Sequence, residues 1–312
     1  MTDEIDPDIR EFHARTSADY ARYGGAGYAS LAERRAVAER VREPWRRGGP
    51  TMHATETLRV GSTDTPVRIH LPVAARSLPV MIYLHGGGWT IFNIDTHDRL
   101  MREYAARSGC AVVGVDYSLS PEVRFPRALE EVEAVHAWLS AEGPAHGVDP
   151  SRIALGGDSA GGNLALSSAI RLRDAGRGAD AILLNYGAFD TVRRPSHGRY
   201  DGDAFMLTSN EMAEFWENYL GPAATAVEHP HARPILADLA GLPPAFLCIA
   251  ECDILADENV AMADRLREAG VDVTATVYPG ATHSFLEAVE ISALADRAIG
   301  DGAAWLKALL TP

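Results

Sequence analysis

RIALGGDSAGGNLAL, residues 152–166, passes from a strand-type run to a small-residue, helix-type run within a few positions. At the junction stand Gly157, Asp158, Ser159, Ala160 and Gly161. A strand ending there and a helix starting there require a sharp reversal of the backbone. Glycines two before and two after Ser159 let neighbouring chain segments pass with no β-carbon in the way, and the reversal lifts the serine hydroxyl above the sheet. The five-residue pattern alone recurs by chance in about one chain in ten of this length. Its meaning therefore depends on its surroundings.

Those surroundings alternate. PVMIYLH (79–85), CAVVGVDY (110–117), DAILLNYG (180–187), PAFLCIAE (244–251) and VDVTATVYP (271–279) read as strands, like RIALGG (152–157). Between them fall helical stretches at 96–109, closed by Gly109, at 125–141, from Ser159 to about 174, at 257–270, and from about 290 onward. Apolar strands separated by amphipathic helices indicate an α/β protein whose mostly parallel sheet is covered on both faces. ETLRVGS and PVRIHL, upstream, are strand-like with turn residues between them.

Two stretches stand outside the alternation. Residues 1–50 read as amphipathic helix, with LAERRAVAERVRE (31–43) stopped by Pro44 and followed by the break RRGGP. Residues 190–235 are polar and rich in Arg, Pro, His and Gly, with one aromatic helix, NEMAEFWENYL (210–220). So long an irregular segment within a compact domain reads as a lid. The expected organisation is a helical cap segment at 1–50 and a catalytic domain at 51–312, with 190–235 as a second cap insertion.

Composition narrows the function classes. Among 312 residues, 46% apolar and 23% charged is the balance of an ordinary globular chain. The 29 basic and 43 acidic residues give a net charge of −14, which argues against nucleic acid and anionic membrane surfaces as partners. No run of about 18 apolar residues suggests a membrane span. MTDEIDPDI lacks the basic and apolar regions of a secretory signal, so a reduced, cytoplasmic location is expected. Cys110, Cys248 and Cys252 lie in or beside strand-like stretches and read as small hydrophobes. The gap between the last two fits no zinc pattern, and His229 and His231 in EHPHARP read as loop residues and not as metal ligands.

A serine hydroxyl is a poor nucleophile at neutral pH; it needs a base, and the base an orienting acid. Behind an elbow of this kind the chain order is Ser, then Asp or Glu, then His. Of the later histidines, His197, His229 and His231 lie in the lid-like segment, and only His283, in VYPGATHSFLE, follows the last strand. The acid should follow FLCIAE, which selects Asp253 over its rivals Asp257 and Glu251. Asp257 is expected near a helix start, where an acid caps or favours the dipole.

HGGGW, residues 85–89, supplies what the pair of side chains lacks. Attack on a carbonyl places negative charge on its oxygen, and backbone N–H groups must already point there. Gly87 and Gly88 are the expected donors, with Gly86 as an alternative, and Ala160 after the serine supplies the other half. A phosphate loop would require Gly-Lys-Ser/Thr to follow, and it does not. His85 is expected to tie down neighbouring loops. Trp89, Asp158, Tyr186, Phe205, Phe215, Trp216 and Phe285 are candidates to line a substrate pocket. Nothing in this set calls for a metal or an organic cofactor.

Taken together, HGGGW, DYSLSPEVRFPRALEE (116–131), GDSAGG, DILADE and HSF resemble the hormone-sensitive-lipase family of α/β-hydrolase esterases, over about residues 60–310. THDRLMREYA and DYSLSPE look most like the bacterial acetyl esterases within it. The resemblance implies an α/β-hydrolase fold with a small helical cap. It implies a catalytic Ser159, Asp253 and His283, an oxyanion hole from the glycine loop and Ala160, and hydrolysis of short-chain acyl esters through an acyl-enzyme. One departure is Ile254, where the family commonly has proline after the acid. The same machinery serves amides, carbamates or lactones. A non-catalytic ligand-binding homologue is the alternative of another class, although all three triad positions are filled. The expected partner is a small-molecule ester substrate, with self-association into a homo-oligomer left open.

Overall fold

Side chains along a strand point alternately to opposite faces, and β3 (Leu78–Leu84) is buried along its whole length. Val80, Ile82 and Leu84 enter one apolar core, while Met81 and Tyr83 enter another. A strand apolar on both faces needs cover on both, and the computed structural model shows that cover. It describes residues 4–25, 27–75 and 77–311.

The sheet runs in the order β1 (Ala54–Val60), β2 (Thr65–Leu71), β4 (Ala111–Val115), β3, β5 (Val148–Asp158), β6 (Ala181–Asn185), β7 (Ala245–Cys252), β8 (Val273–Thr282). β1 and β2 form an antiparallel hairpin, and β2 runs antiparallel to β4. From β4 across to β8 all neighbours are parallel. One face is covered by α4 (Arg127–Glu142), α5 (Ala160–Asp174) and α8 (Ala256–Glu268), through residues such as Leu129, Leu164 and Met262. The other is covered by α1 (Pro7–Gly24), α3 (Asp98–Ser108) and α9 (Ala293–Leu310), through Phe12, Tyr104 and Leu306. All three cysteines are buried and free, and Cys248 and Cys252 sit in the second core.

Local chemistry fixes the ends. Gly109 terminates α3 at φ 76°, a left-handed angle suited to glycine. The helix begins two residues later than its sequence pattern suggests, because the Asn93 side chain accepts from the amides of Asp95 and Thr96, at 3.0 Å each, and holds a turn there. Asp6 caps α1, and Ser30 caps α2 (Leu31–Arg42).

Residues 190–235 contain α6 (Pro195–Tyr200), α7 (Ser209–Leu220) and short 3-10 turns. A reciprocal capping box between Thr208 and Glu211 starts α7. The segment is closed at its neck. Asp190 near its start and Arg233 near its end pair at 2.8 Å, both buried. The Asn163 side chain donates to the carbonyls of Ala188 (2.8 Å) and Ala232 (3.0 Å) at the same place. Among the described residues, no helix is long and apolar enough to cross a membrane.

Candidate active site

Ser159 sits between β5 and α5 at φ 55° and ψ −119°, a conformation that costs a non-glycine residue strain energy and persists only where its surroundings impose it. The surroundings here are backbone. Its amide donates to the Asn185 carbonyl at 2.9 Å, and its own carbonyl accepts from Asn163 (3.1 Å) and Ala188 (3.2 Å). A β-carbon on Gly157 or Gly161 would collide with the carbonyl of Leu84 at the end of β3. The two glycines are what allow the elbow to lie against its neighbouring strand.

Strand register brings the other two side chains together. Cys252 pairs with Thr282 across β7 and β8, after a shift in register. The next residues, Asp253 and His283, therefore leave adjacent strands side by side. His283 Nδ1 donates to Asp253 Oδ2 at 2.7 Å, and the Ser159 hydroxyl donates to His283 Nε2 at 2.9 Å. Asp253 also accepts the amide of Leu255 at 3.0 Å, which fixes its carboxylate plane. All three side chains are buried. An imidazole held this way can take a proton from the hydroxyl, with the carboxylate stabilising the resulting cation.

The rival acids are engaged elsewhere. Asp257 accepts from the Ser196 amide and the Arg199 guanidinium, both at 2.7 Å, and so ties α6 to α8. Glu251 accepts the Gly280 amide at 2.9 Å. His197 serves the start of α6, and His229 accepts the amide of His231. Among the described residues, no group of three or more His, Cys, Asp or Glu is placed to hold a metal ion.

Above the serine runs the glycine loop. Gly87 and Gly88 have φ of 111° and 58°, and the Gly87 carbonyl accepts from both Thr90 and Ile91 in a tight turn. A β-carbon on Gly88 would stand 2.2 Å from the Phe215 ring, and one on Gly86 2.3 Å from Asp158 Oδ2. Among the described residues, the amides of Gly87, Gly88 and Ala160 have no intramolecular acceptor. His85 stacks on Tyr117 at 4.3 Å and donates to the Gly86 carbonyl at 2.7 Å. Burial pushes its pKa down to about 3, so the ring is a neutral loop anchor.

Residues 81–287 match the family model described as the alpha/beta hydrolase fold. The chain belongs to the α/β-hydrolase fold family. Several solved structures that resemble it are named esterases. A hyperthermophilic esterase from the archaeon Pyrobaculum calidifontis is 32% identical, with a TM-score of 0.89 over 97% of this chain and 98% of its own. A thermophilic carboxylesterase cloned from a metagenomic library is 32% identical, with a TM-score of 0.87 over 91% of this chain and 99% of its own. A thermostable esterase from Pseudomonas putida is 30% identical, with a TM-score of 0.89 over 99% and 98%. The hormone-sensitive-lipase resemblance of the motifs is in keeping with these matches.

In this α/β-hydrolase a cavity of about 860 Å³ opens over Ser159, His283, Gly87 and Gly88. Of the seven residues expected in its wall, Phe215 is there, and the other six are not. Trp89 stacks on Tyr219 at 4.4 Å and packs on Trp216, so both indoles brace the glycine loop from behind. Tyr186 sets its ring against His283 at 5.1 Å, with Phe285 behind it. Phe205 packs on Tyr200. Asp158 is buried beneath the loop, accepting from the Tyr83 hydroxyl at 2.7 Å. Close to an elbow, large rings are needed as packing, and packing decided their place.

The wall comes mainly from the two segments expected to form the cap, 1–50 and 190–235, through residues the sequence did not single out. His13, Thr16, Ser17 and Tyr20 present one face of α1, Arg34 and Arg42 come from α2, and Met212 and Phe215 from α7. The 13, 16, 17, 20 spacing is a helical stripe and was the available signal, but it reads equally well as a solvated face.

Proposed function

We propose that the protein is a serine carboxylic-ester hydrolase acting on short-chain acyl esters. His283 takes the Ser159 proton as the hydroxyl attacks the ester carbonyl, and Asp253 holds the ring and stabilises its cation. The tetrahedral oxyanion is received by the amides of Gly87, Gly88 and Ala160. His283 then protonates the leaving alcohol, and water hydrolyses the acyl-enzyme by the same route. The observation that carries this reading is His283 bridging Ser159 at 2.9 Å and Asp253 at 2.7 Å at the floor of an open cavity. The esterase activity named for the similar structures supports it.

α1 and α2, with residues 190–235, act as the cap that shapes the pocket. Phe92 and Phe215 stand against the glycine loop in the cavity wall, where their rings would meet the acyl chain.

The test is a series of esters from acetyl to dodecanoyl, run with wild type and Ser159→Ala. The reading requires a preference for two to four acyl carbons and loss of turnover in the variant. A preference for ten or more would replace the short-chain reading with a lipase-like one; an undiminished Ser159→Ala would end the serine mechanism.

A further inference from the structure

Four charged side chains lie in one buried file behind the glycine loop. Asp158 Oδ2 is 3.3 Å from His97 Nε2, which is 3.8 Å from Glu287 Oε1. Glu287 Oε2 pairs with Arg42 at 2.5 Å. Asp158 and His97 are 1% exposed, Arg42 3% and Glu287 7%.

The contacts of the two ring nitrogens bear on how many protons His97 carries. The Thr96 hydroxyl donates its single proton to the Asn93 carbonyl at 2.7 Å. With that proton on Asn93, the hydroxyl is placed to accept from His97 Nδ1 at 2.9 Å. Nε2 faces only carboxylate oxygens, which also accept. A ring protonated at both nitrogens, a cation, suits both sets of neighbours. The pairing is compatible with this: Arg42 lies against Glu287, whose pKa burial pushes up, and His97 is the basic group that lies against Asp158.

The remaining groups around the ring are compatible with this. The Tyr83 hydroxyl binds the other oxygen of Asp158, the His85 ring lies 5.5 Å away and is neutral, and Phe92 presents an edge at 5.7 Å. Burial works against a charged His97, and Asp158, followed by Glu287, outweighs it, holding the ring above the ordinary imidazole value.

Asp158 lies against Gly86, with no room for a β-carbon between them. A bare carboxylate there would oppose any negative charge arising at the neighbouring amides, in a site where water does not screen it. We propose that His97 is a positioning residue for the hydrolysis: its imidazolium neutralises Asp158 beneath the glycine loop, so that the amides of Gly87 and Gly88 meet the oxyanion unopposed. This rests on the reading of those amides as the oxyanion donors.

Two measurements test it on the full chain. In ¹⁵N spectra of histidine-labelled protein, with the His97 signal assigned by its loss in His97→Gln, the ring should be doubly protonated at pH 7. A neutral ring would overturn the proposal whether or not the protein turns over esters. In kinetics, His97→Gln should lower kcat about tenfold or more with little change in KM, less than the loss of an oxyanion donor outright. Adding Asp158→Asn should recover most of it, since removing both charges restores the balance. A double variant as slow as the single one, or a His97→Gln enzyme with normal kcat, would also overturn it. Absent ester hydrolysis in wild type would instead count against the proposed function and leave the spectroscopic result standing.

Discussion

A β-carbon on Gly161 would stand 1.9 Å from the carbonyl oxygen of Leu84, well inside the 3.0 Å that real β-carbons respect. The contact is backbone against side chain with no flexible partner to yield, so β3 and the start of α5 touch at van der Waals limits beside Ser159.

Gly161→Ala should therefore force the elbow away from β3. Overpacking of this kind costs about 1–3 kcal/mol or more, and hydrolysis should fall with the displaced serine. Gly178→Ala, which meets nothing within 4 Å, is the matched control. Equal melting temperatures for the two variants would contradict the packing account.

Asp253→Asn should reduce kcat by about 10⁴, the scale seen when a triad carboxylate loses its charge. Asp257→Asn should leave kcat within about tenfold, because Asp257 serves the α6–α8 junction. Steady-state kinetics on both decides the matter, and a worse lesion at Asp257 would reassign the acid.

Phe215→Ala should move the acyl-chain optimum upward, since this ring stands against Gly88 in the cavity wall. An optimum unchanged across the ester series would show that the chain binds elsewhere.

Turnover should persist in excess EDTA. Loss that returned with an added divalent ion would bring back a metal role, with His229 and His231 as the residues to examine.

Asp98 makes a pH-dependent contribution to stability. Burial alone would raise its pKa, but His70 and Arg102 outweigh it and hold the carboxyl below its ordinary 3.8. A depressed folded-state pKa stabilises above the unfolded value and loses that effect as pH falls through the folded one. Asp98→Asn should melt below wild type at pH 7, and the gap should narrow as the pH drops past about 4. A gap constant down to pH 2 would rule out the linkage.

The core of this fold is legible in sequence because parallel strands buried on both faces have nowhere to place polar residues. Val80 through Leu84 could belong only to the centre of a covered sheet. Ser159, Asp253 and His283 are legible as candidates because each ends a strand, and strand ends share an edge. The 3.3 Å approach of His97 to Asp158 is not legible: it joins a helix cap to a strand end through tertiary packing alone. α6 is likewise hidden, being six residues of polar chain started by a proline and held by Asp257. Six of the seven residues expected along the pocket lie behind its wall, because an aromatic residue near the elbow serine has two uses, and the sequence carries no mark to separate bracing from lining.

The clasp of Asp190 on Arg233 gives the stretch between them one point of entry and exit. Parts of the stretch beyond that clasp that do not touch α8 or Trp89 can be lengthened or shortened, while the hydroxyl, imidazole and carboxylate remain on the scaffold below. A graft cut at these two residues would have to keep rings at positions 216 and 219, because the exchanged stretch also carries the props of the glycine loop.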